Sequence, residues 1–167
     1  MRKSRSDHVS CAQGSTVFIY GGKDEFAQVK TFERITLDSE LEEGGTSQSL
    51  PNQKQWKSFS LAISYRGSPL FSAVSQNQIL LLGGVSFSLQ GFVPVSDGVL
   101  IDTDANAVAS KLTASETCFS CYQNQHCRTE FGDLICIGRV TEADESYSAK
   151  LIEIKAGEFT TTAFQDC

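Results

Sequence analysis

Three apolar runs that end in glycine constrain the fold of this 167-residue chain more than any other feature. The runs are VFIYGG at 17–22, ILLLGG at 79–84 and LICIGR at 134–139. Each is apolar at every position before the glycine, whereas a strand with one face in water alternates apolar and polar residues. The pattern predicts three strands buried on both faces. Each is followed by a glycine that allows a tight exit or a close backbone approach.

A strand-like run and a short turn precede each glycine-terminated run. The three segments are HVSCAQGSTVFIYGG (8–22), LFSAVSQNQILLLGG (70–84) and HCRTEFGDLICIGR (126–139). Each has a strand, a polar or glycine turn and a second strand, which is the pattern of a β-hairpin. The turns are predicted at Gly14-Ser15, Gln76-Asn77 and Gly132-Asp133.

Two further strand-like runs follow each hairpin. Third strands are predicted at 29–37, 97–102 and 147–154, and fourth strands at 55–61, 106–112 and 158–164. Units of four short strands, repeated about every 40–50 residues, are typical of propeller blades. We therefore predict an all-β chain of three four-stranded antiparallel blades, at about 7–62, 69–112 and 125–164. The stretch 113–125 is either a link between blades or, in part, the first strand of the third blade.

The repeated unit resembles the kelch repeat of β-propellers. An apolar strand ends in Gly21-Gly22 or Gly83-Gly84, an aspartate ends the next strand, and Trp56 opens a fourth strand. The third unit departs from this pattern, because Arg139 follows Gly138 and no tryptophan follows. The resemblance covers nearly the whole chain. It implies structural roles for these glycines and for Trp56, and a function in protein–protein interaction.

The distribution of charge argues against nucleic acid and membranes as partners. The net charge is −6, with five basic and twelve acidic side chains in residues 97–167 alone. Such an acidic half repels phosphate backbones and anionic lipid. No run approaches the ~18 apolar residues that span a bilayer. The basic N-terminus MRKSRSDHVS is not followed by the apolar region of a secretory signal.

The cysteines offer the best candidate for a metal or redox site. Cys118 and Cys121 have the spacing that binds one side of a zinc ion, and His126 and Cys127 follow closely. Adjacent residues of an extended strand point to opposite faces, so the ligand set is incomplete. A redox pair and core-filling thiols are the alternatives. Cys11 and Cys136 lie in apolar runs, which favours reduced thiols in an intracellular, cytoplasmic or cytoskeleton-associated protein.

No set of residues in the sequence has the pattern of a catalytic site. The only histidines, His8 and His126, begin the aligned segments of the first and third units, and we interpret them as structural. Neither a nucleophile with its base nor paired carboxylates occur at matching spacing. The sequence therefore predicts a non-catalytic chain that binds no cofactor.

Three blades are too few to close a propeller, which typically has about four to eight. The end blades would expose sheet faces, and burying apolar surface stabilises by ~25 cal/mol per Å². We therefore expect a second copy, other protein subunits or further sequence of a longer propeller to complete the ring, with the chain as a scaffold in a larger assembly. The polar segment 38–54 is predicted to be a loop that adds a contact. The alternative function is a propeller with a metal or redox site near Cys118–Cys127.

Overall fold

The prediction of an all-β chain is confirmed by a computed structural model. The structure describes residues 4–37, 56–89, 91–95 and 97–112. It also describes the backbone of the strands at 122–128, 134–139, 147–155 and 158–163. Every regular element within these ranges is a β-strand. The described residues contain no helix that is long and apolar enough to cross a membrane. The predicted loop at 38–54 lies outside the described residues.

The first sheet is an antiparallel meander in the order β1-β2-β3-β4. Its strands are β1 (Val9–Gln13), β2 (Thr16–Tyr20), β3 (Thr31–Thr36) and β4 (Lys57–Ser60). The turn between β1 and β2 is Gly14-Ser15, as predicted, because Gln13 pairs with Thr16. Gly14 has a φ of 56°, the positive value that a glycine supplies at the first central position of a type II′ turn.

The second sheet repeats this meander and carries an inserted hairpin. Its strands β5 (Leu70–Ala73) and β6 (Gln78–Leu82) are followed by the hairpin β7 (Val85–Ser88) and β8 (Gly91–Pro94). The sheet then continues with β9 (Gly98–Asp102) and β10 (Ala107–Leu112), in the spatial order β10-β9-β6-β5. The four sheet strands were predicted from the sequence, and the β7–β8 hairpin was not.

The third sheet has the order β11-β12-β13-β14. Its strands are β11 (Tyr122–Arg128), β12 (Leu134–Arg139), β13 (Tyr147–Lys155) and β14 (Glu158–Ala163). Because β11 begins at Tyr122, part of the stretch 113–125 does form the first strand of this sheet. Arg128 pairs with Leu134, and the predicted turn at Gly132-Asp133 lies outside the described residues.

The first two sheets share one hydrophobic core. Aromatic side chains of the first sheet pack on the second, and the rings of Phe32 and Phe71 meet edge-on with centroids 5.7 Å apart. Strand β1 lies beside β5, and β11 also lies beside β5. The buried residues of this core are Phe18, Tyr20, Phe32, Phe71, Ile79, Leu81, Val99 and Ile101.

The prediction that the continuously apolar strands are covered on both faces is confirmed for β6. Ile79 and Leu81 face the shared core, and their neighbours Leu80 and Leu82 on the other face of the sheet are also fully buried. In β2, Phe18 and Ile19 are buried as well. Ile135 and Cys136, predicted to be equally buried, lie outside the residues whose side chains are described.

Raising the pH above about 9 should destabilise the chain, because two core groups keep their protons longer in the folded state. Burial raises the pKa of the Cys11 thiol from 9.0 to about 12, although a hydrogen bond with the backbone of Ala73 lowers this pKa in part. Burial also raises the pKa of Tyr20 from 10.0 to about 12, although the positive charge of Arg66 lowers this pKa in part. The unfolded chain loses these protons first, so stability present below about pH 9 is lost progressively between about pH 9 and 12.

Urea unfolding followed by circular dichroism at about pH 8 to 11 tests this expectation. Cys11→Ala should weaken the loss of stability between about pH 9 and 10, because of these two groups the thiol has the lower unfolded pKa. A free energy of unfolding that stays constant across this range would contradict the burial of both groups.

Candidate functional site

The two Gly-Gly pairs lie at one end of the first two sheets, which we call the glycine end. Gly21 and Gly83 have φ values of 69° and 65°, and Gly22 and Gly84 both have 91°. These positive angles confirm the tight exits predicted from the sequence. Gly138 differs from them, because it lies inside β12 and pairs with Ser148. Trp56, which was expected to open a fourth strand, directly precedes β4 and is half-buried.

The glycines turn the chain so that each of the first two sheets gains one more β-bridge at the glycine end. Ser6 and Lys23 exchange two backbone hydrogen bonds of 2.9 Å. Gly67 and Val85 do the same in the second sheet, at 2.7 and 2.9 Å. The segment that enters each sheet is thereby held against the segment that leaves its second strand. Both loops that follow the glycines therefore start from fixed positions.

A buried arginine holds in place the segment that enters each of these two sheets. Arg5 donates from Nη1 to the carbonyl oxygens of Gly21 (3.1 Å) and Thr31 (3.4 Å). Arg66 donates from Nη1 to the carbonyl oxygen of Asp97 at 2.7 Å and from Nη2 to its carboxylate at 2.7 Å. Both arginines lie four residues before the first strand of their sheet, at Val9 and Leu70. The sequence analysis missed this repeated position.

A groove opens at the glycine end between the loops of the two sheets. We call it the interloop groove; its walls are the loop 23–28 and the start of the β7–β8 hairpin, and Tyr65 and Gly67 also line it. Its volume is about 530 Å³. This size is in the range of pockets that bind small ligands or a few side chains of a partner.

The first wall of the groove is a loop built around Asp24. One carboxylate oxygen of Asp24 accepts hydrogen bonds from the backbone N–H groups of Phe26 (2.9 Å) and Ala27 (2.8 Å). The N–H of Asp24 in turn donates to the carbonyl of Ala27 at 3.0 Å. An aspartate that bonds to backbone groups two and three residues further on fixes a tight turn. The tip of this turn carries Phe26, which is 86% exposed.

The second wall of the groove is the β7–β8 hairpin. Phe87 is 51% exposed and packs against Tyr65, with ring centroids 6.1 Å apart. Leu89 at the hairpin tip and Val93 on β8 are exposed too. Together with Phe26, these side chains are four of the five exposed large hydrophobic residues in the described ranges; the fifth is Leu37. Exposed apolar surface is therefore concentrated at the glycine end.

The charges around the interloop groove are mostly negative. Asp7, Asp24 and Glu25 line it, and Lys23 is the one cation among its described lining residues. Lys23 Nζ lies 2.7 Å from a carboxylate oxygen of Asp7, and both side chains are well exposed. Burial, and then the charge of Asp7, raises the pKa of Tyr65. The groove thus combines aromatic side chains with a net negative rim.

The predicted cysteine site is only partly within the described residues. Cys118 and Cys121 lie outside them. His126 and Cys127 are neighbours on β11, where they pair with Cys136 and Ile135. Among the residues whose side chains are described, no cluster of three or more histidine, cysteine or acidic residues could hold a metal ion. A zinc or redox site near Cys118–Cys127 therefore stays a prediction.

The two histidines do not occupy equivalent positions, which corrects the sequence interpretation. His126 pairs with Cys136 inside β11, and the matching pair in the first sheet is Ser10 with Ile19. His8 lies outside β1 and is exposed. The sequence alignment placed them together because it assumed a short turn in the third hairpin, whereas Arg128 pairs with Leu134 and the connection is longer.

Comparison with known proteins adds no family to this description. No protein-family model matches the chain, and no curated protein matches its sequence. The described lining of the interloop groove contains aromatic, aliphatic and carboxylate side chains but no histidine or cysteine.

Proposed function

We propose that this chain is a non-catalytic, kelch-type interaction module that works as a subunit of a larger intracellular assembly, cytoplasmic or cytoskeleton-associated. The interloop groove carries the proposal, because it exposes Phe26 and Phe87 on two loops held in place by buried arginines. Aromatic side chains in a defined concave surface are the groups that most often anchor protein–protein contacts. Loops on a rigid scaffold are also where binding residues concentrate.

The arrangement of the sheets supports a propeller-type scaffold. Three four-stranded antiparallel meanders follow one another along the chain, and the first strand of the second sheet neighbours the first strands of the other two. Blades of a propeller are arranged in this radial way, with their first strands around a common axis. The sheets do not form a closed ring within the described ranges. We therefore propose that a second copy or other subunits complete it.

Isolation of the chain from its native source tests the proposed function. We expect the isolated chain to run above its own 18.2 kDa and to bring at least one protein in near-stoichiometric amount. The double variant Phe26→Ser/Phe87→Ser should lower the amount of that protein at least about tenfold, because anchor residues carry most of the binding energy. Quantitative mass spectrometry of the two isolates measures the difference.

Leu37→Ser is the matched control, because Leu37 is another exposed large apolar residue outside the groove. It should leave the co-isolated proteins unchanged. Thermal melts of all variants separate loss of binding from loss of folding. A clean 18.2 kDa monomer, together with identical protein sets for the wild type and the groove variant, would overturn the proposal.

A further inference from the structure

We propose that the interloop groove binds an extended segment of a partner protein in which an apolar side chain stands beside lysine or arginine side chains. This assignment rests on the proposed interaction function and adds the chemistry of the partner. Two independent properties of the groove carry it, namely the apolar surface between its walls and the sign of the charge at its rim.

The apolar part of the site lies between the two walls. Tyr65 and Phe87 form a ring pair at one side, and Val85, a buried residue at the start of β7, also lines the groove. Phe26 stands on the opposite loop with most of its surface in water. An apolar side chain inserted between them would remove surface of Phe26 and Phe87 from water, and each Å² so covered is worth ~25 cal/mol.

The rim charges select the neighbours of that apolar side chain. Three carboxylates and one ammonium group line the groove, and the whole chain has a net charge of −6. Lysine or arginine side chains next to the inserted residue would therefore be attracted, and glutamate or aspartate would be repelled. The same sign disfavours nucleic acid and anionic lipid and favours a basic protein segment as the occupant.

The acidic wall is already ordered before any partner arrives. Asp24 uses one carboxylate oxygen to fix the turn through the N–H groups of Phe26 and Ala27. Ordering a loop on binding lowers affinity, so a preformed turn favours it. Asparagine has the same acceptor oxygen, and Asp24→Asn is therefore expected to keep the turn while removing its charge.

Three synthetic peptides of about ten residues probe the site with the full chain. The first has a central Leu-Phe pair flanked by arginines, the second has glutamates in place of the arginines, and the third has serines in place of Leu-Phe. We expect the first peptide to shift the backbone amide resonances of Phe26, Ala27 and Phe87. The second and third should bind at least about tenfold more weakly by fluorescence anisotropy.

A charge variant tests the rim separately from the apolar surface. Asp24→Asn/Glu25→Gln should weaken binding of the arginine peptide about tenfold and reduce its dependence on salt, because it removes two rim charges. Asp102→Asn/Asp104→Asn is the matched control. Asp102 accepts the same pair of backbone hydrogen bonds, from Asp104 and Ala105 at 2.8 Å each, at the opposite end of the second sheet. The control changes the net charge equally and should leave the affinity unchanged.

Three results would overturn the assignment. They are equal binding of the arginine and glutamate peptides, unchanged affinity of the Asp24→Asn/Glu25→Gln variant, and no amide shifts at the groove at about 1 mM arginine peptide. If a native partner is nevertheless lost from the Phe26→Ser/Phe87→Ser variant, the interaction function stands and only the basic-segment assignment fails. If both tests fail, the groove has no binding function.

Discussion

Replacing Gly84 with alanine should lower the free energy of unfolding by roughly 3–5 kcal/mol, a large part of the stability of a domain of this size. Gly84 has a φ of 91°, which side chains with a Cβ rarely adopt, and this strain alone amounts to about 1–3 kcal/mol. A Cβ at this position would also lie 2.7 Å from the carbonyl oxygen of Gly67 and 3.1 Å from Pro69 Cα. These are backbone atoms, so the entry of the second sheet would have to move.

Gly14→Ala separates strain from steric clash. Gly14 also has a positive φ, of 56°, but a Cβ there would meet nothing within 4 Å. We expect this variant to lose only about 1–2 kcal/mol, the cost of a positive φ for a residue with a Cβ. Urea unfolding of both variants gives the comparison. Equal losses for the two substitutions would show that the close approach of Gly84 to Gly67 contributes nothing.

The sheets could be predicted because their signals are local in the sequence. A run such as ILLL is apolar at each position, and burial on both faces follows from that alone. A Gly-Gly pair directly after such a run indicates positive φ angles, and the prediction of one at Gly83 is confirmed. The turn at Gly14-Ser15 was found in the same way. None of these inferences needed to know which sheet lies beside which.

The β7–β8 hairpin escaped prediction because its sequence does not show a buried face. Phe87 pairs with Phe92 across the hairpin, and Phe87 and Val93 are exposed. Apolar residues that stay in water follow no burial pattern, so the sequence analysis placed no strand in this segment. The signal that could have found it is Gly91, which directly follows the turn with a φ of 108° and opens β8.

The interloop groove could not be predicted for a different reason. Tyr65 and the loop around Asp24 meet only because the first two sheets pack on each other, and no pattern within either segment contains that contact. The arginines were missed because a charged side chain is normally exposed. Arg5 and Arg66 precede their Gly-Gly pairs at nearly equal spacing, and this repetition was the available signal.

Glu33→Leu should lower the free energy of unfolding by roughly 3–5 kcal/mol, because it leaves the guanidinium of Arg5 buried without its counter-charge. The side chains of Arg5 and Glu33 are 0% and 2% exposed, and Arg5 Nη2 donates to a carboxylate oxygen of Glu33. Arg5 would keep its bonds to the carbonyl of Gly21 and the hydroxyl of Thr31, which are neutral partners. Neutral acceptors cannot offset the desolvation of a full charge.

Asp7→Asn is the control for the general effect of breaking an ion pair. The Asp7–Lys23 pair has a separation of 2.7 Å, but both side chains are about 60% exposed, and exposed pairs contribute at most about 1 kcal/mol. Urea unfolding of the two variants should therefore differ by more than about 2 kcal/mol. A similar loss in both would mean that Arg5 leaves the sheet and is solvated once Glu33 is removed.

The double variant Arg5→Met/Glu33→Leu decides whether the buried pair itself stabilises the fold. Arg5 Nε is buried and has no hydrogen-bond partner among the described residues, so burial of this arginine is incompletely compensated. Replacing both charges with apolar side chains removes the desolvation of both ions, and in other buried pairs this is often neutral or stabilising. We expect the double variant to be more stable than Glu33→Leu by about 2 kcal/mol or more. The contrary result is a loss in the double variant equal to the summed losses of Arg5→Met and Glu33→Leu, which would show that the two residues act independently. The bonds of Arg5 to the backbone of Gly21 and Thr31 would then be what holds the glycine end together.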